Sequence, residues 1–172
     1  MKNSETERLI IRKIDVCDAV MAHELFSDDD AMRWVGIYPP LRTMEETLAR
    51  LTEWHTTENG ERFALVMKDT DEFLGYVAVN PDSEEDRKDT RELGFAMRAE
   101  ARRRGFMKEA LQAVLAELKR EGIAYVWACC FKGNDASEKL IRSLGFDFIQ
   151  EGTYEVENDR EYESLEFRLE LQ

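Results

Sequence analysis

Apolar positions along the chain fall into blocks that switch between a two-residue and a three-to-four-residue repeat, the periods of strand and helix. Arg8-Leu-Ile-Ile-Arg-Lys13 reads as the first strand. Asp15 follows as a helix N-cap with Asp18 as its acidic first-turn partner, and Val16, Ala19, Val20, His23 and Phe26 have helical spacing. Asp28 to Val35 reads as a short helical turn, which Pro39-Pro40 breaks. Thr43 and Glu46 form a capping box for a helix to about Glu58, closed by Asn59-Gly60. Arg62–Met67 and Phe73–Val79 are strands joined by a hairpin over Asp69–Glu72. Pro81 to Asp89 is a polar, highly charged loop, expected to be the most mobile segment.

In the second half, Thr90–Met97 is a strand and Gly105–Glu121 a helix with Phe106, Ala110, Leu111, Val114, Leu115 and Leu118 on one stripe, stopped by Gly122. Ala124–Phe131 is almost continuously apolar, as central strands are. Asp135-Ala-Ser-Glu138 caps a last helix that Gly145 ends, and Phe146–Glu157 and Glu161–Leu171 close the chain as an antiparallel pair around Asn158-Asp159. The chain shows no internal repeat, linker or low-complexity tract, so the pattern is that of one mixed α/β domain over residues 1–172.

Composition narrows the class. At 172 residues, 43% hydrophobic and 35% charged, the chain suits a folded soluble domain. No apolar run approaches the ~20 residues of a membrane span, and the N-terminal segment has no signal-peptide core, which points to the cytoplasm. The net charge of −13 argues against a nucleic-acid binder and biases encounter towards cationic partners, although acidity also serves solubility. The three cysteines, Cys17, Cys129 and Cys130, lack zinc-site spacing, so no metal is expected. Adjacent Cys129 and Cys130 alternate faces of a strand, which sends one of them to the core.

The chemistry concentrates where the strand Glu92-Leu-Gly-Phe-Ala-Met97 runs into the basic turn Arg102-Arg-Arg-Gly105-Phe-Met107-Lys108 and straight on into a long helix. Such a turn aims backbone N–H groups and the positive end of the helix dipole at one spot, a site for phosphate or pyrophosphate. Three arginines add charge-assisted donors, and Gly105 lets a ligand approach the backbone. Taken alone, the same residues also suit a solvated basic turn.

The order of elements with this turn resembles the GNAT superfamily of acetyl-CoA-dependent N-acetyltransferases. The family turn reads Gln or Arg, any two, Gly, any one, Gly or Ala. Arg102 and Gly105 match, and Met107 departs from the usual small residue. Thr6-Glu-Arg-Leu9, Met32-Arg-Trp-Val-Gly-Ile-Tyr-Pro-Pro40 with Glu45-Glu46, Glu92-Leu-Gly-Phe95 and Asn134-Asp-Ala-Ser137…Leu140-Ile-Arg-Ser-Leu-Gly-Phe146 resemble the RimJ/RimL branch, the ribosomal-protein N-terminal acetyltransferases. The resemblance spans roughly residues 5 to 170 in order. It implies a twisted, mostly antiparallel sheet of about seven strands, splayed in the middle and flanked by about four helices.

It also implies acetyl transfer from acetyl-CoA to an amine by direct attack, without a metal. Met97 and Arg98 are then expected to pair through their backbone with the pantetheine arm, with the Met97 N–H as oxyanion donor. Arg102, Arg103, Arg104, Gly105, Phe106, Met107 and Lys108 take the pyrophosphate, and Asn134 contacts the cofactor unless it is a simple turn residue. Glu92 is the candidate general base, or else a paired surface carboxylate. Many members carry a tyrosine seven residues after the asparagine to protonate the thiolate, and here Ile141 stands there. Ser137 is the candidate acid instead, or only an N-terminal helix residue. Trp34, Tyr38, Trp54 and Tyr154 are candidates for the acceptor wall, with core packing as the alternative, while His23 and His55 read as a half-buried and an exposed helix residue. The acceptor is a protein N-terminus or a small amine. Nucleic acid and membrane are excluded as partners, and a homodimer is left open. The competing reading is a non-catalytic acyl-CoA sensor or interaction module on the same fold, suggested by Ile141 and Met107.

Overall fold

A computed structural model describes residues 3–36, 39–56, 60–81, 87–156 and 160–171, with the backbone alone for 154–156 and 160. Eight strands form one sheet in the order β1-β2-β3-β4-β5-β6-β8-β7. They are β1 (Ser4–Glu5), β2 (Leu9–Lys13), β3 (Glu61–Met67), β4 (Phe73–Pro81), β5 (Thr90–Met97), β6 (Tyr125–Phe131), β7 (Asp147–Val156) and β8 (Arg160–Glu170). The helices are α1 (Ala19–Phe26), α2 (Asp29–Met32), α3 (Met44–Thr56), α4 (Phe106–Arg120) and α5 (Asp135–Ser143). The β5–β6 pair is parallel and every other pair antiparallel. The parallel pair follows from the α4 crossover between them.

Strand alternation divides the core in two. Leu74, Val77 and Val79 of β4 and Val126, Ala128 and Cys130 of β6 pack under α4 and α5. Phe73, Tyr76 and Ala78 of β4 and Ala96 of β5 pack under α1, α2 and α3 on the opposite face. All six stripe residues expected on α4 are buried. Gly122 ends that helix at φ 82°, with its N–H bonded to Lys119 O and that of Ile123 to Leu118 O.

Three expectations shift. Asp15 does make the capping box with Asp18, but on a 3-10 turn, Val16–Asp18, that precedes α1. The buried face of α1 is Ala19, Ala22, Leu25 and Phe26, while Val16 and Val20 stand exposed. The tight turn advances the phase of the apolar stripe, which a single helical period from Val16 misses. On α5 the cap is Asn134, whose side chain accepts from the Ser137 N–H, one residue before the expected Asp135. Asn59, Asn158-Asp159 and most of the Pro81–Asp89 loop lie outside the described residues.

Candidate active site

The site is made by two parallel strands that part company. β5 and β6 pair only from Thr90↔Tyr125 to Leu93↔Ala128, after which Gly94–Met97 and Cys129–Phe131 run on without pairing to each other. On its other side β5 stays bonded to β4 up to Gly75↔Met97, and the Arg98 N–H donates to Leu74 O at 2.9 Å. Bonded pairs alternate along an antiparallel ladder, so Ala96 and Gly94 also spend their backbone groups on β4, and Phe95 and Met97 turn theirs towards the gap. A register shift between Leu65 and Val66 inserts a bulge in β4 beside this point, which bends the strand. Gly75 is required there, since a Cβ would meet the Ala96 carbonyl.

A cleft of about 650 Å³ fills the gap and crosses the sheet. At one end lies the basic turn. Gly105 is the N-cap of α4 at φ 82°, Arg103 sits at φ 61°, and no side chain caps the helix. Glu109 N to Gly105 O is the first helical bond, which leaves the N–H groups of Phe106, Met107 and Lys108 without an intrahelical acceptor. A left-handed non-glycine residue beside uncapped N–H groups at a helix start is an anion cradle.

The basic side chains of the turn divide their tasks. Arg102 bonds back through Nε to Met97 O at 2.9 Å, tying the turn to the end of β5. The Arg104 guanidinium stands 4.8 Å from the Phe106 ring centroid and does not line the cleft. Arg103 and Lys108 line it and have no ion pair among the described residues. Arg98 departs from expectation. Its N–H is committed to Leu74 and its guanidinium to Glu24 and Glu72, so it braces β5 against α1 and β4. Met107 is buried in the core under α4 and also lines the cleft beside the cradle.

One brace was invisible in the sequence. Glu109 accepts from the Arg8 N–H at 2.9 Å and from Arg8 Nε at 2.7 Å, and from Thr6 Oγ1, while Arg8 Nη1 donates to Arg104 O at 3.0 Å. The Thr6–Leu9 segment, noted only as a resemblance, thus fastens the edge of the sheet to the cradle. Burial opposes ionisation of Glu109, but the bonds from Thr6 and Arg8 outweigh it and hold the carboxyl below its ordinary value.

At the other end, Glu92 is half-buried on β5, paired in register with Asn80 of β4 and Trp127 of β6. Cys129 lines the same stretch. Burial, chiefly, with the charge of Glu92 adding, pushes its thiol up to about 11, and burial takes Cys130 to about 12. Both are therefore neutral thiols near pH 7. Asn134 and Ser137 line the cleft from the start of α5, joined by the cap bond of 3.2 Å. Ile141 is 1% exposed in the core and faces away from them.

Of the expected acceptor wall, Trp34 lines the cleft. Its segment closes over the end of β6, where a side chain at Gly36 would overlap the Phe131 ring and Trp34 lies beside Gly133. Trp54 is placed elsewhere: it packs against Phe26 and Tyr76, with centroids 5.5 and 5.1 Å apart, behind the wall rather than in it. Tyr38 lies outside the described residues, and of Tyr154 only the backbone, in β7, is described. Arg62, Tyr76 and Asn80, which also line the cleft, were not singled out from sequence. They sit on β3 and β4, and only the register brings them beside Glu92. His23 bonds Thr47 Oγ1 at 2.7 Å under α3, and His55 is exposed 3.9 Å from Asp15. Among the described residues no group of His, Cys, Asp or Glu could hold a metal ion, and no helix is long and apolar enough to cross a membrane.

Comparison with known proteins agrees with this geometry. A curated relative, the uncharacterized N-acetyltransferase YoaA of Bacillus subtilis (strain 168), is 27% identical over 146 residues, covering 83% of this chain and 81% of the relative. A GNAT-family acetyltransferase from Bacillus anthracis superposes with a TM-score of 0.85 at 20% identity over 98% of both chains. RimL, a ribosomal alpha-N-protein acetyltransferase in complex with coenzyme A, gives 0.78 at 18% identity over 96% of this chain and 95% of its own. The family model for the acetyltransferase (GNAT) domain matches residues 8–147, the stretch that holds the parted strands, the cradle and the capped start of α5. By that match the chain belongs to the GNAT family of acetyltransferases.

Proposed function

We propose that the protein transfers the acetyl group of acetyl-CoA to a primary amine by direct attack, with the whole activity in one domain. The observation that carries this reading is the uncapped, left-handed start of α4 opening onto the gap between β5 and β6. It offers a pyrophosphate the N–H groups of residues 106–108 with Arg103 and Lys108 beside them, and it offers an extended amide-bearing arm the backbone edge of Phe95 and the Met97 N–H. The complex of RimL with coenzyme A supports the same occupant. Acetyl-CoA supplies the activated acyl group, and the protein supplies position and proton traffic.

In this scheme the Met97 N–H donates to the thioester carbonyl oxygen. Glu92 takes the proton of the incoming ammonium, directly or through water, from the sheet face opposite α4. Ser137, on the cleft wall, hydrogen-bonds the sulfur in this scheme and the departing thiolate takes its proton from Ser137 or from solvent, while Ile141 is withdrawn into the core and donates nothing. Asn134 fixes the start of α5, and thereby Ser137. Release of CoA thiol from acetyl-CoA in the presence of a panel of primary amines tests the reading. Amine-dependent release is expected, and a folded protein that binds CoA but acetylates none of them would refute it.

A further inference from the structure

Resting on that reading, we propose that the acceptor is an amine that carries a carboxylate, and that Arg62 selects it. Three cations without an ion pair among the described residues line the cleft: Arg103 and Lys108 at the anion cradle, and Arg62 at the far end beside Asn80 and Glu92. In a chain with a formal charge of −13, most arginines among the described residues find a carboxylate. The neighbouring Lys13 does so with Glu61 at 3.1 Å, and Arg12 with Asp18. Arg62 instead stands 5.4 Å from the centroid of the Trp54 ring and gives Nη1 to the Glu61 carbonyl at a long 3.3 Å. Trp54, displaced from the acceptor wall, thus becomes the platform for a charged group on the β3 side of the cleft.

The local backbone keeps this head in place. Gly60 has φ 97°, and a Cβ there would stand 2.6 Å from Asn80 Oδ1 and 2.9 Å from Arg62 Nη1, so the bare glycine lets both polar heads crowd together. A guanidinium flanked by an amide, stacked on an indole and half-buried, presents a planar fork that matches a carboxylate. A phosphate would call for the several converging donors found at the cradle and not here.

Register gives the span. Arg62 is opposite Ala78, and Glu92 is opposite Asn80, two residues further along β4. Two strand spacings and two residue rises place their α-carbons about 12 Å apart. Both side chains rise from the same sheet face and the long arginine takes up about half of that distance, so an amine at Glu92 reaches Arg62 with a carboxylate one or two extended residues away, at about 3.3–3.6 Å per residue. An acidic second residue of a peptide fits that span. The carboxylate on the same carbon as the amine is too near.

The test compares kcat/KM for alanyl-glutamyl-glycine amide and its glutamine counterpart, and for free alanyl-glycine and its amide. The first pair reports a peptide terminus and the second a small dipeptide acid. Wild type should prefer the carboxylate member of at least one pair by roughly 10–100-fold, mostly through KM, as one charge-assisted bond implies. In folded Arg62→Met and Arg62→Gln proteins the ratio should fall to near one. Equal use of both members by wild type, or a preference that survives both substitutions, overturns the inference while leaving acetyl transfer intact. A protein that binds CoA and acetylates no amine removes both. If neither variant folds, the wild-type ratio decides alone.

Discussion

The two ends of the cleft are built in opposite ways. The cradle is contiguous: residues 102–108 form it, mostly with backbone N–H groups, and the start of α4 orients them. The other end, the proposed acceptor end, is assembled from side chains on β3, β4, β5 and the Trp34 segment, brought together by strand register. A ligand that must always be the same can be held by backbone, which substitution barely alters. An acceptor that distinguishes one relative from another is better met by side chains, each of which can change singly.

The sharpest break in that symmetry is predicted for Glu92→Gln. A general base acts on the acceptor, so turnover should fall by about 10²–10⁴ while CoA affinity stays within a few-fold. Steady-state rates beside a calorimetric titration check both halves, and near-normal turnover would hand the proton to water or another group. Next in size is Gly105→Val. At φ 82° a β-branched side chain is strained by about 1–3 kcal/mol, and the added atoms enter the approach path to the cradle. Weaker CoA binding and a lower Tm should appear together in titration and thermal melts.

The brace under the cradle can be loosened without touching a ligand. Glu109 is depressed in the folded state, so the stability it adds is complete above the unfolded value of about 4.3 and is lost as pH falls through the lower folded value. Glu109→Gln should cost about 1–2 kcal/mol near neutral pH, the exposure of Arg8 limiting the effect, and the gap in Tm from wild type should close as pH drops below about 4. A pH-independent gap would mean that packing, not charge, does the bracing.

Smallest is Ser137→Ala, for which a reduction of only a few-fold in turnover is expected, because a thiolate is already a good leaving group. Ile141→Tyr should not raise activity and should lower stability by about 1–3 kcal/mol, since the position is 1% exposed in the core. Activity switched on by that substitution would overturn the role given to Ser137.

The same contrast explains what the sequence made legible. Strands β2 to β6, α4 with its whole buried stripe, and the cradle followed from local period and turn chemistry, because each is specified by residues adjacent in the chain. The two-residue β1 carries too short a pattern to register. The phase of α1 was lost to a 3-10 turn, and the cap of α5 fell on Asn134 because its side chain reaches Ser137 N–H before Asp135 can act. For Trp54 the alternative of core packing holds, and the backbone N–H of Arg98, expected from the resemblance to meet the cofactor arm, is spent on Leu74 while its side chain goes to Glu24 and Glu72. Arg62 and Asn80 lie in no motif at all. Their place beside Glu92 is a product of β3–β4–β5 pairing, which a linear pattern does not contain.

The claim on which the rest depends is that residues 102–108 hold the pyrophosphate of CoA. Calorimetric titration of the wild-type protein and of Arg103→Ala/Lys108→Ala with CoA and with pantetheine tests it most directly. CoA should bind wild type at least tenfold more tightly than pantetheine, and the double substitution should shrink that difference several-fold while the backbone N–H groups keep the remainder. Equal affinity of the folded wild type for CoA and pantetheine, or a difference untouched by the substitutions, would contradict the account.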